Sequence, residues 1–253
     1  MKIVSVNGTG SWIAYNERAT SQQDLQQRIN AADVCLTDLD GTDAPFATIR
    51  VAMNAIGTSY MKAQYRRWLM QSVEAKVWGA SRGEESQWED YKKRFLSESL
   101  AREHVQELFS ERRVRESLFP GVEKFYLALG IDCFYVTRTI PEVANAYAKV
   151  LGFDGVYPDQ TRKDEGVRAF IENGGSKYER FIVKGNSDED FEMLRFLRWC
   201  VWQGKIRDVV GIYVPKRKED IDPRFEFQIG KGRYDCANKF LDLKDKGRIK
   251  TIK

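Results

Sequence analysis

Apolar and polar positions change their period several times along the chain, and those changes divide it. Short continuous apolar runs at Val34–Thr37, 131–136, 181–183 and 209–214 contain β-branched and aromatic residues and predict buried strands. Stretches with a helical period fall at 121–129, 141–151, 164–173 and 188–201. Strands alternating with helices of this length predict βαβ units, hence an α/β fold with a mostly parallel sheet flanked by helices.

Between the first run and Phe119 no stretch reads as a strand. Helical patterns at 44–55, 58–77, 84–100 and 102–118 are punctuated by Gly57, Gly79 and Gly83. About 75 residues cannot form a simple loop inside a compact domain. Residues 46–118 are therefore expected to form an inserted all-helical subdomain, interrupting a core of residues 33–45 and 119–215. Residues 1–32 read as an N-terminal appendage: Asn7-Gly8 between 3–6 and 12–15 is a hairpin-turn pair, and 21–29 has a helical pattern. Beyond Pro215 the chain becomes charged, with one more strand pattern at 225–229, so 216–253 is expected as a charged C-terminal extension of the core.

Composition narrows the function classes. A chain of 253 residues that is 42% hydrophobic and 31% charged has the balance of a soluble globular protein. No segment approaches the ~18 uninterrupted apolar residues of a membrane span, and the apolar start is too short for a secretory signal. The four cysteines, Cys35, Cys133, Cys200 and Cys236, lie far apart and form no C-x-x-C, which argues against a disulfide framework or a thiolate zinc site. A single histidine, His104, argues against a His-ligated metal centre or a Ser-His-Asp triad; its charged helical surroundings place it on the surface. These features fit a reducing, cytoplasmic setting. The net charge of +4 is spread along the chain, so it favours anionic ligands slightly and does not argue for nucleic acid. The sequence does not set an oligomeric state.

The densest chemistry follows the first strand, in Val34-Cys35-Leu36-Thr37-Asp38-Leu39-Asp40-Gly41-Thr42. Carboxylates at i and i+2 of an extended segment point the same way, with backbones roughly 7 Å apart. One could attack a substrate while the other handles a proton. Gly41 permits the sharp exit that such a site needs. Asp, Gly and Thr are also ordinary turn residues, and what separates the two readings is context. Ligands of an open parallel sheet bind at the carboxyl ends of its strands. Asp38 and Asp40 end the first strand, Thr137 ends the second, and Gly185-Asn186-Ser187-Asp188-Glu189-Asp190 follows the third.

With these elements the chain resembles a phosphatase of the haloacid dehalogenase superfamily. Val34–Thr42 matches hhhhDxDGT, 133–137 matches hhhhhT, and a lysine-bearing helix leads to a strand and a G-x-S-x-x-D element. The spacing from Lys163 to Asn186 and the place of the insert most resemble the phosphoserine phosphatase-like members. The motifs cover residues 33–45 and 119–195. The resemblance implies a Rossmann-like core with a helical cap closing over the crevice. It implies Asp38 as nucleophile, forming an aspartyl-phosphate, and Asp40 as acid and then base. The second aspartate sets the chain apart from the dehalogenases and the transport ATPases. Thr137 would bind a phosphoryl oxygen, although Thr139-Ile140-Pro141-Glu142 also reads as a capping box.

Lys163 would neutralise phosphate and Asp38, with Lys177 and Lys184 as competitors and Arg138 as a further phosphate contact. The implied cofactor is Mg²⁺, held by Asp38, the Asp40 region, Asn186 and Asp190. Here the chain departs from the family, which usually has G-D where Gly185-Asn186 stands; an amide oxygen can coordinate a hard cation with one negative charge fewer. Ser187-Asp188-Glu189-Asp190 also reads as a capping box, which would give Asp190 a purely structural role.

The insert carries Arg66, Arg67, Arg82, Lys92, Lys93 and Arg94 among Trp68, Trp78 and Trp88, a set that reads most simply as the charged face of amphipathic helices. The Lys-rich end from 239 to 253 also contains Asp242 and Asp245, and reads as a solvated tail. The expected function is Mg²⁺-dependent hydrolysis of a small phosphorylated metabolite, without membrane or nucleic-acid partners. Two other classes stand beside it: a non-catalytic phosphate- or partner-binding protein on the same fold, and a nucleic-acid end-processing phosphatase.

Overall fold

The computed structural model describes residues 1–6, 11–18, 20–45, 110–139, 141–158, 160 and 162–242. The four predicted strands are β3 (Val34–Thr37), β4 (Asp132–Val136), β6 (Arg180–Gly185) and β7 (Asp208–Tyr213). Four more complete the sheet: β1 (Lys2–Val6), β2 (Ser11–Tyr15), β5 (Gly155–Tyr157) and β8 (Phe227–Ile229). The order is β1-β2-β8-β7-β6-β3-β4-β5, with β8 through β5 parallel and β1 and β2 antiparallel.

Alternation along each central strand sorts side chains to two buried faces, as a sheet covered on both sides requires. Cys35, Cys133, Ile182 and Val210 face one way, onto α1 (Gln22–Asn30), α3 (Val122–Leu129) and α7 (Tyr234–Phe240). Val34, Leu36, Val136 and Val183 face the other, onto α5 (Lys163–Glu172) and α6 (Asp188–Trp202). Tyr135 belongs to a smaller cluster with Val143 and Tyr147 of α4 (Pro141–Leu151) and Val114 of α2 (Glu111–Ser117).

Residues 1–32, expected as an appendage, are instead part of the core. β2 pairs with β8, and Trp12, Ile13, Ala14, Leu25 and Ile29 are buried. The pairing joins segments more than 200 residues apart, so no local pattern announces it. The C-terminal extension contributes β8 and α7 to the same layer, and α7, like the short edge strand β5, has too few residues for a clear periodic signal. Most of the expected cap, residues 46–109, lies outside the described residues, together with His104, the basic and aromatic residues named for the insert, and residues 243–253. The last part of the expected cap forms α2, whose Val114 is buried beside Leu39 and Ala44 of the core.

All four cysteines are buried and free, and Cys35 and Cys133 pack in the core as small apolar residues. Among the described residues no helix is long and apolar enough to cross a membrane.

Candidate active site

The strand order reverses between β3 and β6: from β3 the chain runs outward to β4 and β5, and from β6 outward to β7 and β8. Such a switch point opens a crevice at the carboxyl ends of the two strands. Asp38 and Asp40 leave β3 there, and Gly185-Asn186 leaves β6.

Two glycines allow the ends to meet. Gly41 has φ +78°, and a Cβ on it would fall 1.9 Å from the Asn186 amide nitrogen. A Cβ on Gly185 would fall 2.1 Å from Asp190. A side chain at Gly41 would push apart the two loops that frame the crevice, and one at Gly185 would push Asp190 away from the end of β6.

The first turn of α5 brings Lys163 to this point. Its ammonium is buried, 2.9 Å from Asp38 Oδ1 and 2.5 Å from Asp190 Oδ1. The other oxygen of Asp190 accepts hydrogen bonds from the Asn186 N–H, the Ser187 N–H and the Ser187 hydroxyl. Both Asp190 oxygens are thus held by protein donors. Expected as a metal ligand, Asp190 here closes the α6 capping box and anchors Lys163. Burial would lower the Lys163 ammonium, but Asp190 and Asp38 outweigh it and raise its pKa. Burial pushes the Asp38 carboxyl up to about 7; Lys163 opposes that shift and Asp190 adds to it. Two carboxylates therefore share one ammonium in a buried place, leaving an excess of negative charge.

Asp40 is set by a residue that sequence reasoning read only as a helix cap. Thr139 donates from its hydroxyl to Asp40 Oδ2 at 2.7 Å, and Thr137 donates to Thr139 Oγ1 at 3.1 Å. Thr137 is buried at the end of β4, one hydrogen bond from Asp40's partner. Thr42 donates to Asp38 Oδ2 at 3.4 Å.

Arg138, expected on phosphate, is paired with Glu189 at 2.7 Å, because the first turn of α6 places that carboxylate beside it. The competitors of Lys163 do not reach the crevice. Lys177 lies before the amino end of β6, opposite the crevice, and covers the Tyr178 ring. Lys184 points to the other face of β6, where it pairs with Asp43. The structure thus brings Asp38, Asp40, Thr137, Lys163, Asn186 and Asp190 together and turns Arg138 aside.

Oxygen donors remain for a hard cation. The Asn186 amide lies against the Asp40 carbonyl, its Nδ2 donating at 3.0 Å. The amide turned over would offer its oxygen beside that carbonyl, in the crevice that Asp38 also lines. One carboxylate, one carbonyl and one amide oxygen fit Mg²⁺, which takes few protein ligands and completes its shell with water and substrate phosphate. Among the described residues no three His, Cys, Asp or Glu side chains are placed to hold a metal ion by themselves.

An Asp-x-Asp-Gly-Thr loop at the switch point of a parallel sheet, facing a buried lysine, has the architecture of the haloacid dehalogenase-like hydrolases, and the chain has their fold. Among solved structures it is similar to cytosolic 5′-nucleotidase IIIB bound to cytidine, at 11% identity and a TM-score of 0.60 over 91% of this chain and 93% of that one. Weaker likenesses include phosphoserine phosphatase in apo form (14% identity, TM-score 0.46, 83% of this chain and 98% of that one). Another is a haloacid dehalogenase-like hydrolase from Streptococcus pneumoniae (18% identity, TM-score 0.44, 83% and 98%). No protein-family model matches the chain, and no curated protein matches it in sequence.

Proposed function

We propose that this chain is a Mg²⁺-dependent phosphomonoester hydrolase that works through an aspartyl-phosphate on Asp38. The observation that carries this reading is the buried Asp38–Lys163–Asp190 arrangement beside an Asp40 oriented by Thr139. A binding site needs positive charge for phosphate. A carboxylate held 2.9 Å from a buried lysine that it shares with Asp190 is instead suited to attack.

In the first half-reaction an Asp38 oxygen attacks phosphorus in line, the bond from phosphorus to the ester oxygen breaks, and Asp40 gives its proton to the departing alkoxide. In the second half, Asp40 takes a proton from water as the water oxygen attacks the same phosphorus, freeing Asp38 and releasing inorganic phosphate. Lys163 stays charged throughout and compensates Asp38 and the phosphoryl oxygens. Asp190 positions Lys163, and Thr139 keeps the Asp40 carboxyl aimed at the leaving group. Mg²⁺, when bound by Asp38, the Asp40 carbonyl and the Asn186 oxygen, would neutralise further charge on the phosphoryl group.

The substrate class is a small phosphorylated metabolite. Nucleoside monophosphates head the panel to be tried, because a 5′-nucleotidase shares the fold over nearly the whole of both chains. The test is phosphate release from a set of phosphomonoesters with and without Mg²⁺, beside Asp38→Asn. Turnover that requires both supports the reading. No hydrolysis of any ester at high Mg²⁺ would transfer support to the phosphate- or partner-binding reading, which the amide at Asn186 favours. Salt-sensitive binding to oligonucleotides would favour the end-processing alternative.

A further inference from the structure

Behind the candidate nucleophile loop, on the face of the sheet away from Lys163, lies a second buried ion pair that the reaction does not use. Asp43 and Lys184 are both fully buried and in contact. Three tyrosines converge on the same carboxylate: Tyr126 of α3 donates to Asp43 Oδ2 at 2.8 Å, Tyr135 of β4 at 3.0 Å, and Tyr234 of α7 reaches Oδ1 at 3.3 Å. The Lys184 ammonium also lies 4.3 Å from the ring centre of Tyr126 and 4.5 Å from that of Tyr234. A cavity-free apolar core would be simpler to build, since buried ion pairs seldom add net stability over well-packed apolar residues. The cluster's geometry explains its presence differently.

Every member touches the loop that carries Asp38 and Asp40. Lys184 receives the Asp38 N–H on its backbone carbonyl at 3.0 Å while its side chain holds Asp43, so one residue grips the loop at both ends. Tyr234 donates to the Thr42 carbonyl at 2.6 Å. The Asp43 carbonyl accepts the Phe119 N–H at 2.8 Å, and the Pro120 carbonyl accepts the Asp235 N–H at 3.3 Å. Gly121 is packed so tightly on α7 that a Cβ would fall 2.4 Å from the Asp235 nitrogen. The stretch from 119 to 121, where the chain re-enters the core after the segment that separates it from Pro45, is therefore fastened to the loop on one side and to α7 on the other.

We infer that Tyr234 is a positioning residue for the candidate reaction: through Thr42 and the Asp43–Lys184 pair it fixes the loop bearing Asp38 and Asp40, so that α7 belongs to the active-site scaffold. This inference rests on the phosphohydrolase reading for its kinetic consequence and on geometry alone for its structural one. Buried hydroxyls aimed at a loop carbonyl and a loop carboxylate specify one loop conformation, because any other leaves those groups unpaired. Reacting groups displaced by even 1 Å lose a large part of their rate.

The test compares Tyr234→Phe with Tyr178→Phe in the full chain. The Tyr178 hydroxyl donates to Asp132 at 2.7 Å at the amino ends of the strands, opposite the crevice, so its removal deletes the same chemistry away from the loop. Two quantities are measured: hydrogen exchange of the 38–44 amides, and kcat and KM with the best phosphomonoester. Tyr234→Phe is expected to speed exchange in 38–44 at least tenfold and to lower kcat about tenfold with KM little changed, while Tyr178→Phe changes neither. Exchange in 38–44 that is unaltered by Tyr234→Phe overturns the inference, whatever the turnover. If no ester is hydrolysed by the unmodified chain, the phosphohydrolase reading fails and the exchange result still decides the positioning role.

Discussion

Two lysines are buried among the described residues, on opposite faces of the sheet. Lys163 sits in the crevice between two carboxylates, Asp38 and Asp190. Lys184 lies under the loop against a single carboxylate, Asp43, and is enclosed by Tyr126, Tyr234 and Phe125. The second arrangement balances its charge and saturates it with hydroxyl donors. The first does not: one ammonium serves two carboxylates, and burial pushes Asp38 up to about 7. Balance marks a part that holds shape, and imbalance marks a part suited to chemistry, which on the proposed function involves a cation and a phosphoryl group. Charge in the interior is therefore not by itself a sign of a site; the sum of charges is.

The largest effect should come from removing the group that carries the excess. Asp38→Asn leaves the carboxamide able to accept from Lys163 but unable to attack phosphorus. Turnover of the best ester should fall at least about a thousandfold, in line with loss of a covalent nucleophile. Phosphate release at a tenth of the original rate would remove Asp38 from the nucleophile role.

Replacing each lysine by Met separates the two regions. Lys163→Met removes the cation from the crevice and leaves Asp190 with its three loop donors, so the chain should fold and lose about a hundredfold in kcat. Lys184→Met leaves Asp43 without a countercharge in the interior, with only its tyrosine hydroxyls, and breaking a buried pair costs about 3–5 kcal/mol. Its signature should be a steep fall in Tm and poor soluble yield. Should the two variants behave alike, in Tm and in rate, the contrast drawn between the pairs would be lost.

The crevice was largely legible in the sequence, and the layer behind it was not. Asp38, Asp40 and Gly41 announce themselves through spacing within one short segment, and Thr137 and Asn186 through their place at strand ends. Lys163 needed the motif order, because nothing in its neighbours distinguishes it from Lys177 or Lys184. Asp43 lies one residue past the motif and reads as another turn acid. Its partners come from residues 126, 135, 184 and 234, and no local pattern joins positions so far apart in the chain. Thr139 was visible only as a cap for α4, since its use by Asp40 depends on β3 and β4 being neighbours. The same non-local pairing hid the place of β1 and β2 at the sheet edge.

A smaller effect concerns the cation. Asn186→Asp would place a carboxylate opposite the Asp40 carbonyl, whose present partner is the amide Nδ2. Mg²⁺ affinity, read by titration calorimetry on the resting protein, should rise about tenfold, the order of one added charged contact near 1.4 kcal/mol. An unchanged affinity would place the cation elsewhere or show that residue 186 does not contact it.

The last effect is on stability and isolates the imbalance itself. In metal-free protein the Asp38 carboxyl has a folded pKa near 7, against about 4 in an unfolded chain. Between those values the folded state keeps a proton that the unfolded state has released, so stability falls as pH rises through that window. Above pH 7 the penalty is complete, up to about 4 kcal/mol; below pH 4 it vanishes. An asparagine carries no such penalty and resembles the protonated acid in shape. In EDTA, Asp38→Asn should therefore match the unmodified chain in Tm near pH 4 and exceed it by several degrees at pH 8. Tyr234→Phe should show no such crossing, because burial and Asp43 hold that hydroxyl well above its ordinary range and it stays protonated throughout. A Tm difference for Asp38→Asn that is the same at both pH values would mean that Lys163 already neutralises Asp38, and the two buried lysines would then differ in location but not in kind.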